Sequence, residues 1–158
     1  MAHSLNLTLK IKQTPEVLKK LEEFKKAFPA VQGKIAAAMA KSRILHYARV
    51  VVFPDNSYIQ VLTEYDGDRR DYTEFFRREL TDVFALVFAL AEDAPPAADL
   101  QKLLSDPDAF FNFSKDKDYQ PLGNSLLDDP EDRVVFSAYG TMTVKEIQAL
   151  LPKDRLPI

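Results

Sequence analysis

Between Ser4 and Lys12 the chain alternates strictly: Leu5, Leu7, Leu9 and Ile11 are apolar, and Asn6, Thr8, Lys10 and Lys12 are polar. A period of two puts the two sets on opposite faces, so residues 4–12 are expected to form a half-buried strand. The period changes at Thr14. Thr14 is placed to cap a helix, Pro15 suits its first position, and Val17, Leu18, Leu21, Phe24 and Phe28 recur at helical spacing. Residues 15–27 are therefore expected to be helical. Pro29 is expected to break the pattern, with the Ala-rich run at 33–42 forming a second helical piece.

Two apolar segments, 44–53 and 58–66, flank the turn Pro54-Asp55-Asn56-Ser57. A four-residue loop would set Phe53 opposite Tyr58. One face then pairs Val52 with Ile59, Val50 with Val61, Ala48 with Thr63, and His46 with Tyr65. This mostly apolar face is expected to lie under the helices. The other face pairs Val51 with Gln60, Arg49 with Leu62, and Tyr47 with Glu64, leaving Arg49 diagonal to both Glu64 and Gln60. That second face should also carry Asn6, Thr8, Lys10 and Lys12. Parity sends His46 and Arg49 to opposite faces unless a bulge intervenes.

Residues 70–91 read as one long helix with an apolar face of Tyr72, Phe75, Phe76, Leu80, Val83, Phe84 and Val87, stopped before Pro95 and Pro96. An irregular insertion, about 95–131, comes next. It contains one helical piece near Ala97 and another after Ser105 with Pro107 in its first turn. Phe110, Phe111 and Phe113 are expected to pin it. Strand character returns at 132–140, and Thr143 with Glu146 has capping-box spacing for a final helix. The whole is an α+β chain with no internal repeat, a single domain over residues 1–158. Without the insertion and last helix its order is βαββαβ, the ferredoxin-like arrangement. That arrangement implies an antiparallel sheet of strand order 4-1-3-2, helices on one face and an open second face.

Composition narrows the chemistry. The net charge is -3, which offers no general attraction to nucleic acid. The absence of cysteine excludes disulfides, thiol catalysis and cysteine metal sites. The start of the chain has no signal-peptide pattern and no apolar run is long enough for a membrane span, so a soluble, cytoplasmic protein is expected. His3 and His46 lack metal-ligand spacing, and no metal site is expected. The acidic run at 128–132 reads as a solvated turn, and no serine sits in a nucleophile elbow. Phosphate-loop and dinucleotide fingerprints are absent.

The segments IKQTPEVLKKL, LHYARVVVF, TEYDG and FSAYGTMTVKEI resemble a family of ferredoxin-like proteins that is distantly similar to the dye-decolourising peroxidases. The resemblance covers most of the chain outside the insertion. It implies a homodimeric α/β-barrel-like architecture in which the sheets of two subunits face each other. In related folds the enclosed space holds haem, a small substrate or packed side chains. A haem peroxidase needs an axial histidine with a distal acid and arginine, and no catalytic residue carries over from the resemblance. No cofactor is therefore expected, with haem kept as the alternative. Two functional readings result. One is a dimeric module that binds a small ligand on the open sheet face through Tyr47, Arg49, Gln60, Glu64 and Tyr139. The other is a small oxidative enzyme, peroxidase-like or cofactor-free, that uses the barrel interior. His46 is expected to be structural, bonded near Tyr65.

Overall fold

The alternating segment at the start of the chain is the strand on which the rest is assembled. The computed structural model describes residues 2–119 and 138–155. Strand β1 (Ala2–Lys10) pairs antiparallel with β3 (Tyr58–Asp66), which pairs antiparallel with β2 (Leu45–Val52). Among the described residues the sheet has three strands, is open, and runs β1-β3-β2. Leu5, Leu7, Leu9 and the following Ile11 are each at most 4% exposed. Full burial of side chains of this size is worth roughly 1.5–3 kcal/mol each, so a register slip of one residue would be prohibitive.

The hairpin has the expected loop and most of the expected register. Phe53 N–H donates to the Tyr58 carbonyl, and Val52, Val50 and Ala48 stand opposite Ile59, Val61 and Thr63. Asn56 takes a left-handed conformation (φ 58°) within the turn, which asparagine tolerates better than most residues. The register then shifts between Leu45 and Tyr47. Leu45, not His46, stands opposite Tyr65, so the expected pairing of His46 with Tyr65 is corrected. The bulge keeps a leucine on the apolar face and releases the histidine from it.

Helix α1 (Pro15–Ser42) opens as expected, with the Thr14 hydroxyl accepting from Val17 N–H. It then runs through Pro29 as one 28-residue helix, in place of the expected break. Pro29 leaves the Lys25 carbonyl without its usual donor. The Ala-rich stretch beyond it has high helix propensity, and Val31, Ile35 and Met39 pack partly against the core. The expected single helix at 70–91 is instead two, α2 (Arg69–Glu79) and α3 (Thr81–Phe88). Leu80 leaves helical geometry at φ -128°, and the Thr81 hydroxyl bonds back to the Arg77 carbonyl, a pattern that bends helices. The apolar stripe survives the break because Tyr72, Phe76, Leu80, Val83 and Val87 are all buried.

The insertion contributes α4 (Ala97–Ser105) and α5 (Pro107–Asp116), both at the expected places. Asp106 caps α5 through the N–H groups of Asp108 and Ala109. The expected aromatic anchor is mainly Phe110, which is buried, stacks on Phe88 and meets Phe84 edge-on. Phe113 tilts against Phe88, and Phe111 lies under the Arg70 guanidinium. Arg77 ties the unit down by donating to the Leu104 and Ser105 carbonyls while it chelates Glu74.

The outer edge of β1 is also occupied. Lys12 N–H donates to the Leu90 carbonyl and Glu92 N–H to the Lys10 carbonyl. Farther along, Thr8 N–H donates to the Lys117 carbonyl and Tyr119 N–H to the Asn6 carbonyl. Asp118 lies between these last two bonds with its side chain fully buried, accepting from Asn6 N–H at 2.8 Å and paired with Arg69. The expected strand at 132–140 lies mostly outside the described residues, as does the acidic run at 128–132. Its end, residues 138–141, forms a turn with Gly140 at φ +63°. Helix α6 (Val144–Leu150) follows, with the expected capping box of Thr143 and Glu146. Among the described residues, no helix is long and apolar enough to cross a membrane.

Replacing Phe110 by Ala is expected to destabilise the protein by about 3–5 kcal/mol. Phe111→Ala, which leaves a half-buried ring site on the surface of α5, should cost clearly less. Urea denaturation of the two variants checks the order, and equal losses would mean that the anchor is shared.

Candidate functional site

Helix α1 is longer than the core beneath it. Its first half buries Val17, Leu21 and Phe24, whereas past Pro29 only Ala38 is fully buried. Below this second half lies a cavity of about 370 Å³. Phe28, Ile35 and Met39 of α1 form its roof, Ala48, Val50, Val61 and Thr63 of the hairpin its floor, and Tyr72, Phe76, Val83, Phe84 and Val87 of α2 and α3 its back wall. The volume falls within the range of roughly 300–1,000 Å³ usual for small-molecule pockets. The exposed lining residues are Gln32, Ala36, Ala48 and Arg49, all on α1 and β2, so the mouth lies between these two elements. Ala48 is exposed although it stands opposite the buried Thr63. The opposite rim is bridged by ion pairs from α1, Lys34 to Asp82 at 2.6 Å and Lys41 to Glu79 at 2.7 Å.

The polar groups of the lining are few. On the floor and back wall, the Thr63 and Tyr72 hydroxyls share a hydrogen bond of 2.7 Å. Tyr72 also stacks on Tyr65 with ring centroids 4.1 Å apart. Burial pushes the Tyr72 phenol well above its ordinary value. The bond from Thr63 opposes that rise, and the nearby Tyr65, Asp118 and Glu64 reinforce it. The pair uses one of its two hydroxyl protons internally, which leaves one O–H to donate. Among the described residues, Arg49 is the one charged member of the lining.

A second cavity, about 450 Å³, lies where the end of α1 meets the start of β2 and α6. Leu45, His46, Tyr47, Tyr139, Ile147 and Gln148 line it, and Ala36, Met39 and Leu45 also border the first cavity. His46, freed by the bulge, bonds to Asp66 Oδ1 at 2.9 Å through a ring nitrogen. The other carboxylate oxygen of Asp66 accepts the buried Val144 N–H at 2.7 Å. Asp66 therefore joins the end of β3 to His46 and to the first turn of α6. Gly67 lets the chain leave that point with φ +85° before Asp68 caps α2.

The five residues expected to form one ligand surface are dispersed. Tyr47 and Tyr139 border the second cavity, and Arg49 borders the first. Gln60 donates to the Thr8 hydroxyl on the sheet's second face, at 3.1 Å. Glu64 stands opposite Tyr47 in the register but forms no ion pair with Arg49. The sequence pattern places Thr63 and Tyr72 on apolar faces and Asp66 at a strand end, and it marks none of the three as a site residue. Thr63 could have been noticed as a polar residue at an apolar position of the hairpin. Asp66 could not, because its partners depend on the bulge and on a contact 78 positions away. Among the described residues, no group of three or more His, Asp or Glu side chains is placed to hold a metal ion.

Comparison of the chain with protein-family models, with curated proteins and with solved structures finds no match.

Because the folded state holds the Tyr72 phenol protonated beyond its ordinary value near 10, the unfolded chain loses that proton first as pH rises. The stability contributed by Tyr72 is thus complete below pH 10 and declines above it. Tyr72→Phe is expected to flatten the alkaline limb of a stability-versus-pH curve, measured by urea denaturation. Asp66→Ala should cost about 1–3 kcal/mol by orphaning the Val144 N–H, with faster amide exchange across α6 as its signature.

Proposed function

We propose that the chain is a ferredoxin-like module that binds a small, largely apolar molecule between α1 and the hairpin. The observation that carries this reading is the cavity of about 370 Å³ walled by α1, β2, β3, α2 and α3. Interiors are normally packed to near-crystalline density, and an apolar void is costly to keep. Here the void opens to solvent at one edge, and an apolar ligand would recover the contacts that its walls lack. The ferredoxin-like part of the proposal rests on the β-α-β-β-α order, the β1-β3-β2 arrangement and the single core that residues of α1 to α5 share with Leu5, Leu7, Leu9 and Ile59. The ligand then sits on the helix-covered face of the sheet rather than on its second face.

Ala48→Phe tests the reading. The position is exposed, lies on a strand and points into empty space, so the larger ring should fill the cavity without disturbing the core. The wild-type chain is expected to bind the neutral fluorophore N-phenyl-1-naphthylamine with one-to-one stoichiometry. The variant should lose that binding while its melting temperature stays the same or rises. Absence of fluorophore binding to the wild type would sink the proposal. A Soret shift on haem titration, abolished by Ala48→Phe, would replace it with the oxidative reading.

A further inference from the structure

If the cavity between α1 and the hairpin is a binding site, the charges at its mouth limit its ligand further than apolarity does. Arg49 lies on β2, an edge strand among the described residues, and its register partner is Leu62 on the second face. Arg49 is nevertheless one of the residues that line the cavity, and from the edge of the sheet its long side chain has the length to turn round the strand to the mouth. Among the described residues it has no ion-pair or side-chain hydrogen-bond partner, although Glu64 lies one step along the neighbouring strand. The cations on the far rim differ in this respect, since Lys34 is matched by Asp82 and Lys41 by Glu79. None of the described lining residues carries a carboxylate. Among the described residues the site therefore has an apolar interior and one unmatched positive charge in its lining, with Gln32 also at the mouth.

We infer that the ligand is an amphiphilic monocarboxylate, held by its apolar tail among Phe28, Ile35, Val61 and Phe84, with its carboxylate at Arg49. The guanidinium presents a planar fork of donors that matches a carboxylate in two parallel bonds. The tail supplies most of the affinity, because apolar area removed from water is the larger favourable contribution. The head supplies direction and discrimination. An exposed arginine is screened by water, so the discrimination it gives is modest.

Displacement of bound N-phenyl-1-naphthylamine by decanoate and by decanol, both below their aggregation limits and at pH 8, separates head from tail. The wild type is expected to release the fluorophore at about fivefold lower decanoate than decanol concentration. Arg49→Gln should bring the two competitors to parity without changing the decanol midpoint, and Arg49→Lys should keep part of the preference. Added salt should erode the wild-type preference as the charges are screened. Parity in the wild type, or a preference that persists in Arg49→Gln, would overturn the carboxylate assignment while decanol displacement left the cavity reading intact. If neither competitor displaces the fluorophore from the wild type, the cavity reading fails and the carboxylate assignment goes with it.

Discussion

The structure depends on the burial of β1. Its apolar residues Leu5, Leu7 and Leu9, continued by Ile11, form the floor on which the helices rest. One edge is paired along its length with β3, and the other takes up residues 90–92 and 117–119. Each side connection brings a helical unit with it. The pairing at Lys10 and Lys12 holds the exit from α3, and the pairing at Asn6 and Thr8 holds the exit from α5. The buried pair of Asp118 and Arg69 ties that second exit to the start of α2. A buried carboxylate with both a guanidinium and a backbone donor is costly to leave half-satisfied. This pair therefore fixes where the segment after α5 meets the sheet.

The cavity results from a mismatch in length. α2 and α3 place their aromatic stripe against β3 and stop where β1 ends, and α4 and α5 fill the space beside them through Phe110 and Phe113. α1 continues for several turns after its last large buried residue, Phe24. Its second half therefore stands over β2 with little beneath it. Among the described residues β2 is an edge strand, and none of them packs from the far side to close the gap. The alanines of the helix and Ala48 of the strand leave the space unfilled. The ion pairs from Lys34 and Lys41 hold the roof at one rim only, and each is a surface contact worth about 0–1 kcal/mol.

The bulge in β2 divides the polar residues of this region. Without it His46 would stand opposite Tyr65 on the apolar face. With it Leu45 takes that place, and the ring of His46 meets Asp66. Asp66 also receives the first turn of α6. The end of the hairpin thus supports the C-terminal helix, and the middle of the hairpin lines the cavity. The two roles share Leu45, which borders both cavities.

Much of this was legible in the chain. Period-two alternation predicted β1 and the hairpin, since a strand with one buried face must alternate. The pairing of Ala48 with Thr63 and of Arg49 with Leu62 followed from loop length. Thr14, Pro107 and the Thr143 and Glu146 box marked helix starts through local backbone chemistry. Features that need a contact between distant residues were not legible. Continuity of α1 through Pro29 depends on what its far half rests against. The bulge at His46 is decided by competition between His46 and Leu45 for one buried place, with Asp66 on hand to accept the loser. The cavity is a property of three elements at once. Local propensity is encoded within a few residues, whereas space left unfilled exists only after distant segments have packed.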